Sequence, residues 1–291
     1  MRYSITHTTI YSYHEQVSLC HNLAMLSPRD TSNQVCHSSY IKISPLPEVL
    51  NSHVDFFGNK VYYFVVEEEH DKLSVTVNSI VEKIELPAED TISDISWEAT
   101  IQLLQQPGGA YIKEKQFTAP TLITDPFDAI DEYASKSFTP GRSFYAAVLD
   151  LMQRIHKDFE FKAGFTTVST PLSDVMKNKK GVCQDFAHLA ISCIHAMGLP
   201  AKYISGYIET IAPPGKEKLV GVDASHAWFS VFIPGTGWIE FDPTNNKIPD
   251  DQYITVAWGR DYFDIVPLKG VIMSSSSHEL KVAVDVRRIK D

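Results

Sequence analysis

The sequence contains little of what marks disulfide-rich or membrane-spanning proteins. Four cysteines in 291 residues are too few for a disulfide scaffold. No uncharged run of about 20 apolar residues is present, so we expect no membrane span and no membrane partner. The first residues, MRYSITH, lack the apolar stretch of a secretory signal. These absences together predict a cytoplasmic, reducing location with mostly free thiols.

Basic residues are also in the minority. Lys and Arg number 26 against 36 Asp and Glu, which gives a formal net charge of −10 at pH 7. The longest basic run, Lys177 to Lys180, is interrupted by Asn178, so we expect no nucleic-acid partner. What is present is ordinary for a globular protein, with 44% hydrophobic and 21% charged residues. The length predicts about two domains at roughly 100–200 residues each.

The hydrophobic pattern changes along the chain and predicts an α+β protein. Residues 1–88 alternate apolar and polar side chains, which predicts an N-terminal antiparallel β domain. Residues 89–142 are mixed and polar and predict a connecting, partly helical segment. Residues 143–291 begin with helical spacing and continue with strand candidates at 202–208, 226–233 and 238–241. We therefore expect a core of helices packed on an antiparallel sheet, with the C-terminal strands belonging to it.

Cys183 is the candidate nucleophile. It stands at the N-terminus of a predicted helix that follows Gly181 and ends at Gly198. The free N–H groups and the dipole of a helix N-terminus favour a negative group, here a thiolate. Cys193 lies in the middle of the same helix, about 15 Å away along its axis, so the two cannot form a disulfide. We interpret Cys193 as a small core residue.

A thiolate nucleophile requires a general base and a residue that orients this base. His226 opens one predicted strand and Asp242 closes the next, so the order Cys, His, Asp has the papain-type arrangement of roles. The order alone is a weak signal, because such residues are common by chance. The predicted hairpin also poses a difficulty: a four-residue loop at 234–237 places Phe229, not His226, opposite Asp242. His226 lies three residues, about 10 Å of strand, from Phe229. A contact between His226 and Asp242 therefore requires a bulge or a shorter loop.

The residues around these three positions carry a more specific signal. Four segments closely resemble the core motifs of the transglutaminase-like superfamily: GVCQDFAHL at 181–189, GLPAKYISGY at 198–207, HAW at 226–228 and GWIEFDPTN at 237–245. Residues 2–9 and 55–59 look like the N-terminal β region of bacterial transglutaminase-like proteins, and 259–271 like their C-terminal segment. The resemblance covers most of the chain except residues 89–142.

The resemblance implies a papain-like core in which a cysteine attacks an amide and forms a thioester acyl-enzyme. It places Cys183, His226 and Asp242 on the catalytic positions. Water as the acceptor makes the enzyme a peptidase or amidase, whereas an amine makes it a transglutaminase. No acceptor site is visible in the sequence, so we favour hydrolysis of a peptide or isopeptide bond in a peptide or protein substrate. Transglutaminase activity, and a non-catalytic protein-binding module, stay open as alternatives.

Other conspicuous residues have simpler interpretations. Tyr207 and Trp228 are candidates for walls of the substrate cleft, although core packing explains them equally well. Asp185 lies in the first turn of the helix, where the dipole favours an acid, so we interpret it as structural. His188 is expected in the core. The Cys-His pairs at 20–21 and 36–37 lack the spacing of a zinc site, so the sequence predicts no metal and no cofactor.

Overall fold

The computed structural model describes residues 1–84, 92–106, 110–210, 224–273 and 277–289. Within these ranges the chain forms three antiparallel four-stranded sheets and six α-helices, which confirms the predicted α+β class. The predicted boundary at residue 88 lies outside the described residues. None of the described helices combines the length and the apolar character that crossing a bilayer requires.

Six strands make up the N-terminal region: β1 (Arg2–Val17), β2 (Cys20–Ala24), β3 (Gln34–Ser44), β4 (Val49–Val54), β5 (Lys60–Val66) and β6 (His70–Lys83). They divide between two sheets that enclose a common apolar cluster, to which β5 contributes Phe64 and Val66 and β6 contributes Leu73 and Val75. The alternation of buried and exposed residues along β1 and β6 matches the period of two that predicted these strands.

The two last strands of the chain complete these N-terminal sheets. β13 (Leu268–Ile272) pairs with β2, and β14 (His278–Ile289) pairs with β1 from Arg2↔Ile289 to Tyr13↔His278. The sheet orders are therefore β14-β1-β6-β3 and β13-β2-β5-β4. The sequence groups both strands with residues 143–291, but their hydrogen bonds lie in the N-terminal sheets. Strand pairing over such a long separation in sequence leaves no local signal.

The helices occupy the middle of the chain. They are α1 (Trp97–Gln105), α2 (Ile112–Lys115), α3 (Asp128–Ser135), α4 (Phe144–Asp158), α5 (Leu172–Asn178) and α6 (Cys183–Ala196), with the short parallel pair β7 (Glu160–Phe161) and β8 (Lys180–Gly181) between them. Single 3-10 turns follow at Gln116–Thr118 and Tyr262–Ile265. Helix α6 is buried on all sides from Asp185 to His195, so it is the central helix of the core.

The third sheet carries the remaining strands: β9 (Ala201–Ile208), β10 (Ala224–Ile233), β11 (Gly237–Phe241) and β12 (Tyr253–Gly259), in the order β11-β10-β9-β12. Helix α6 packs on β10 and β9. One apolar cluster runs from Phe186 of α6 through Phe229 of β10 to Ile5 of β1 and Val284 of β14. The N-terminal strands therefore share a core with the helices and the third sheet.

The hairpin between β10 and β11 is one residue tighter than the sequence suggests. Ile233 pairs with Gly237 and Phe229 with Phe241, so the loop has the three residues 234–236. Gly235 in this loop has a φ of +85°, which a residue with a side chain rarely adopts. Continued by one step, this register brings Trp228, not Phe229, opposite Asp242.

Candidate active site

The N-terminus of α6 is built around the carboxylate of Asp185. Its Oδ2 accepts hydrogen bonds from the backbone N–H of Val182 at 2.7 Å and from the hydroxyl of Thr166 at 2.6 Å. Burial raises the pKa of Asp185, and these two hydrogen bonds oppose the rise. A Cβ atom at Gly181 would lie 2.8 Å from Oδ2, so only glycine fits beside the carboxylate. The arrangement fixes the turn that presents Cys183 as the first residue of the helix.

His226 and Asp242 are joined directly. The Nε2 atom of His226 donates a hydrogen bond to Oδ2 of Asp242 at 2.9 Å. The carboxylate of Asp242 is fully buried, and four more groups donate to it. The hydroxyl of Tyr253 and the side-chain amide of Asn245 reach Oδ2 at 2.8 and 2.7 Å, and the backbone N–H groups of Thr244 and Asn245 reach Oδ1 at 2.9 and 3.3 Å. Asp242 is thus held rigidly in the orientation that receives the imidazole.

The side chain of Cys183 also acts on the imidazole of His226 and raises its pKa, and both residues line the same cavity. Because Nε2 faces Asp242, Nδ1 is the ring atom available to the thiol. Burial lowers the pKa of His226, but the interactions with Asp242 and Cys183 outweigh it and raise the pKa to about 9. Burial raises the pKa of Asp242, and its bond with His226 brings the net shift below the ordinary value. These directions favour a charged imidazolium at His226 beside an ionised carboxylate at Asp242.

Aromatic rings surround the histidine on its buried side. The ring of Trp228 stacks against His226 with centroids 6.0 Å apart, and Tyr253 contacts both rings edge-on. The indole Nε1 of Trp228 donates to Oε2 of Glu240 at 2.7 Å, which fixes the tryptophan. Trp228 and Tyr253 are both almost fully buried. These contacts restrict the rotation of the imidazole and keep it between its two partners.

Cys183 and His226 open onto a cavity of about 250 Å³. Its lining comes from β1, α6, β9, β10, β13, β14 and the segment from the second 3-10 turn to β13, through the residues His7, Thr9, Tyr11, Cys183, Gln184, Tyr203, Ser205, Ser225, His226, Ala227, Tyr262, Pro267, Leu268, Leu280 and Val282. A second concavity of about 360 Å³ lies elsewhere, around Tyr133, Lys177 and Lys179, and contains none of the three candidate catalytic residues.

The structure thus brings Cys183, His226 and Asp242 together: His226 bonds to Asp242 and lines one cavity with Cys183. Tyr207 and Trp228, the candidate cleft walls, are in the core and do not line the cavity. On a buried strand, a core residue and a cleft wall show the same sequence pattern, so the sequence could not distinguish the two interpretations. The hydroxyl of Tyr207 instead bonds to Nδ1 of His7 at 2.9 Å.

His188 and Cys193, which the sequence places in the core, are both buried. His188 is buried, its Nε2 accepts a hydrogen bond from the backbone N–H of Tyr262 at 3.1 Å, and burial lowers its pKa to about 3. Cys193 is buried in α6, and all four cysteines are free. Sequence reasoning missed Tyr253, His7 and Thr9, because their place near the catalytic residues depends on strand pairing, which no local motif records.

Comparison with known proteins identifies the family. Residues 3–82 match the bacterial transglutaminase-like N-terminal region, and residues 132–243 match the transglutaminase-like superfamily. An uncharacterized protein of Mycobacterium tuberculosis is 40% identical over 98% of this chain and 92% of its own length. An uncharacterized protein of Mycobacterium leprae is 30% identical over 99% of both chains. The chain belongs to the transglutaminase-like superfamily.

Two other similarities bear on fold and chemistry. The crystal structure of a "Putative Cysteine Protease" from Cytophaga hutchinsonii superposes with a TM-score of 0.76 at 22% identity, covering 100% of this chain and 92% of that one. This likeness shows that the two proteins share a fold. A protein-glutamine gamma-glutamyltransferase of Pseudomonas aeruginosa is 29% identical over 109 residues, 36% of this chain and 16% of that protein.

Within this transglutaminase-like chain, the two matched regions meet at the cavity. The N-terminal match contributes β1, and with it His7, Thr9 and Tyr11. The superfamily match contains Cys183, His226 and Asp242. The strand β14, which lies beyond both matches, supplies Leu280 and Val282. The N-terminal region is therefore part of the surroundings of the candidate nucleophile.

Proposed function

We propose that this protein is a cysteine-dependent hydrolase that cleaves a peptide or isopeptide amide through a thioester acyl-enzyme. The observation that carries the proposal is the hydrogen bond between His226 and the buried Asp242, with Cys183 beside His226 in the lining of one cavity. A structural histidine has no need of a thiol on one side and an orienting carboxylate on the other. That combination serves nucleophilic catalysis.

Each group has a distinct role in the proposed reaction. The thiolate of Cys183 attacks the carbonyl carbon, and the backbone N–H at the start of α6 stabilises the developing oxyanion. The imidazolium of His226 then gives its Nδ1 proton to the leaving amine, and a thioester remains on the sulfur. Water, deprotonated by the same imidazole, attacks the thioester and releases the acid. Asp242 keeps the ring oriented and stabilises its positive charge through both steps.

Amine transfer is the second candidate, and the similarity to the Pseudomonas aeruginosa gamma-glutamyltransferase favours it. The first half of both reactions is the same, because each passes through the acyl-enzyme. The acceptor decides the outcome: water is present at about 55 M, whereas amine transfer requires a site that binds the amine. The similarity covers 36% of this chain, so we place hydrolysis first.

The proposal includes a peptide or protein as the substrate and a cytoplasmic location. The cysteines support the location, since all four are free, as a reducing compartment keeps them.

The test is a search for the acyl-enzyme with a panel of peptide amides and isopeptides. Wild-type protein is quenched in acid and the mass of the Cys183 peptide is measured, with and without an added primary amine. A thioester adduct that turns over to acid supports hydrolysis, and amine incorporated into the product supports transfer. Cys36→Ala is the matched control, because Cys36 is a half-buried free thiol outside the cavity. Absence of an adduct, together with ordinary alkylation of Cys183, would leave only a non-catalytic module.

A further inference from the structure

The wall that β1 and β14 form beside Cys183 has no part in the bond-breaking steps. Thr9 pairs with Val282 and Tyr11 with Leu280, and all four line the cavity. His7, Thr9 and Tyr11 follow one another at every second position of β1, so one face of this strand looks into the cavity. A regular sheet face built from the two ends of the chain thus borders the nucleophile.

The inner part of this wall is polar but carries no charge. His7 and Thr9 are each 3% exposed, and Nε2 of His7 bonds to the hydroxyl of Thr9 at 2.9 Å. The other ring nitrogen bonds to Tyr207, so the imidazole is held on both sides. Burial lowers the pKa of His7 to about 4, which leaves the ring neutral at physiological pH. His7 therefore cannot serve as a cation for an acidic ligand.

The outer part of the wall is apolar and open to solvent. Leu280 is 54% and Val282 is 45% exposed at the mouth of the cavity. No Asp, Glu, Lys or Arg occurs among the cavity-lining residues in the part of the chain that the structure describes. Two exposed aliphatic side chains next to a reactive thiol form a surface that a substrate can cover.

We propose that the wall formed by β1 and β14 is a substrate subsite that selects an uncharged side chain on the residue whose carbonyl is attacked. The proposal rests on the proposed function and adds the substrate class. Leu280 and Val282 contact the aliphatic part of this side chain, and His7 and Thr9 form the neutral base of the subsite. A charged side chain would lose hydration at this wall without gaining a counter-charge from it, because the imidazolium of His226 is already paired with Asp242. The protein's net charge of −10 repels an acidic side chain and attracts a basic one, so the subsite disfavours an acidic side chain more strongly.

Peptide chloromethyl ketones test the subsite whether the acceptor is water or an amine. The Cys183 thiolate displaces chloride, which leaves with its electron pair, and a thioether forms. Four otherwise identical reagents carry Leu, Gln, Glu or Lys at the ketone residue, and each rate is divided by the rate with iodoacetamide. We expect Leu and Gln to react at least about tenfold faster than Glu, with Lys between them.

Charge substitutions at Val282 complement the reagents, because they change the charge of the protein instead of the charge of the substrate side chain. Val282→Lys should raise the Glu/Leu rate ratio by about tenfold, and Val282→Glu should raise the Lys/Leu ratio by a similar factor. Ala283→Lys and Ala283→Glu are matched controls, because Ala283 pairs with Thr8 and does not line the cavity. Leu280→Lys and Leu280→Glu provide a second pair at a more exposed position. Damage to folding would lower all rates together and would not follow the sign of the introduced charge.

The outcomes separate the two proposals. If none of the peptide reagents labels Cys183 faster than iodoacetamide does, the proposed catalytic function is wrong. If peptide reagents label Cys183 efficiently but Leu and Glu react alike, the site is catalytic and the subsite is wrong. The subsite is also wrong if the substitutions at Val282 and Leu280 change the ratios no more than those at Ala283.

Discussion

His226 and Asp242 are diagonal neighbours across the β10–β11 hairpin, two residues away from direct opposition. The same two-residue offset recurs between Trp228 and Glu240. Trp228 donates a hydrogen bond to Glu240, although the residue directly opposite Glu240 is Ser230. Diagonal pairs lie about 7–8 Å apart at Cα, which a histidine and an aspartate can bridge with their side chains. The three-residue loop produces this offset. A fourth loop residue would separate the pair by one more position and turn the two side chains to opposite faces.

Replacing the nucleophile should abolish activity without unfolding the protein. Cys183→Ala is expected to show no measurable amide turnover and a Tm within a few degrees of wild type, because Cys183 begins a helix and is only half-buried. Enzyme assays and thermal unfolding on the same samples check both parts. Cys193→Ala is the contrasting variant: this sulfur is fully buried, so its loss should lower the Tm and leave the reaction intact. Turnover by Cys183→Ala would contradict the assignment.

Replacing the orienting carboxylate should cost both stability and activity. In Asp242→Asn the amide NH₂ would face groups that now donate to Asp242, namely His226, Tyr253 and Asn245. We expect a lower Tm and a loss in kcat/KM on the order of 10²-fold, since the imidazole loses its orientation and its stabilising charge. Asp250→Asn is the control, because Asp250 is exposed and pairs only with Lys247 among the ion pairs of the described chain. Wild-type kcat/KM in Asp242→Asn would mean that another group orients the imidazole.

The pKa of His226 sets a limit to activity at high pH. Its folded-state pKa is about 9, above the ordinary value of 6.5, so the charged form is stabilised by folding. The corresponding stability is fully present below pH 6.5 and is lost as the pH rises through about 9. The kcat/KM should fall over the same upper range, because the imidazolium that protonates the leaving amine disappears. A pH–rate profile and Tm values of wild type and His226→Gln check both effects; an activity still rising at pH 10 would contradict them.

The turn before Cys183 should not tolerate a side chain. Gly181→Ala places a Cβ atom 2.8 Å from the carboxylate of Asp185 and must displace it or the backbone. We expect a loss of about 1–3 kcal/mol in unfolding free energy together with reduced kcat/KM, since the helix start moves. Denaturant unfolding of Gly181→Ala, Asp185→Ala and the double variant measures the coupling. Additive losses would show that the close approach does not restrict this turn.

The sequence predicts the local parts of the candidate site well. Strands expected at 202–208, 226–233 and 238–241 occur as Ala201–Ile208, Ala224–Ile233 and Gly237–Phe241, and the expected helix begins at Cys183. These elements have complete local signals: a period, a glycine at each turn and a motif around the reactive residue. They place Cys183 at the start of a helix and His226 and Asp242 on adjacent strands, whereas the contact between His226 and Asp242 depends on a three-residue loop that the sequence did not predict.

Register and long-range pairing could not be predicted in the same way. The alternation on β6 suggests a bulge near residues 78–79, because the apolar phase changes there. The structure keeps β6 in continuous register with β1 from Lys72 to Glu82 and buries Ser79 and Lys83, while the irregularity near these residues lies on β3, between Cys36 and Ser38. Buried polar residues such as these interrupt the alternation of apolar and polar side chains from which strands are predicted. The pairing of β14 with β1 has no signal in either strand alone.

The pairing of β1 with β14 also determines when this protein can finish folding. Arg2 pairs with Ile289, so the sheet that contains β1 cannot be completed until β14 has been synthesised. Contacts of such long sequence separation form slowly, because the intervening chain must be ordered first. One wall of the cavity beside Cys183 is thus missing from every nascent chain that ends before about residue 282. A growing polypeptide can expose its thiol well before it can hold a substrate against it.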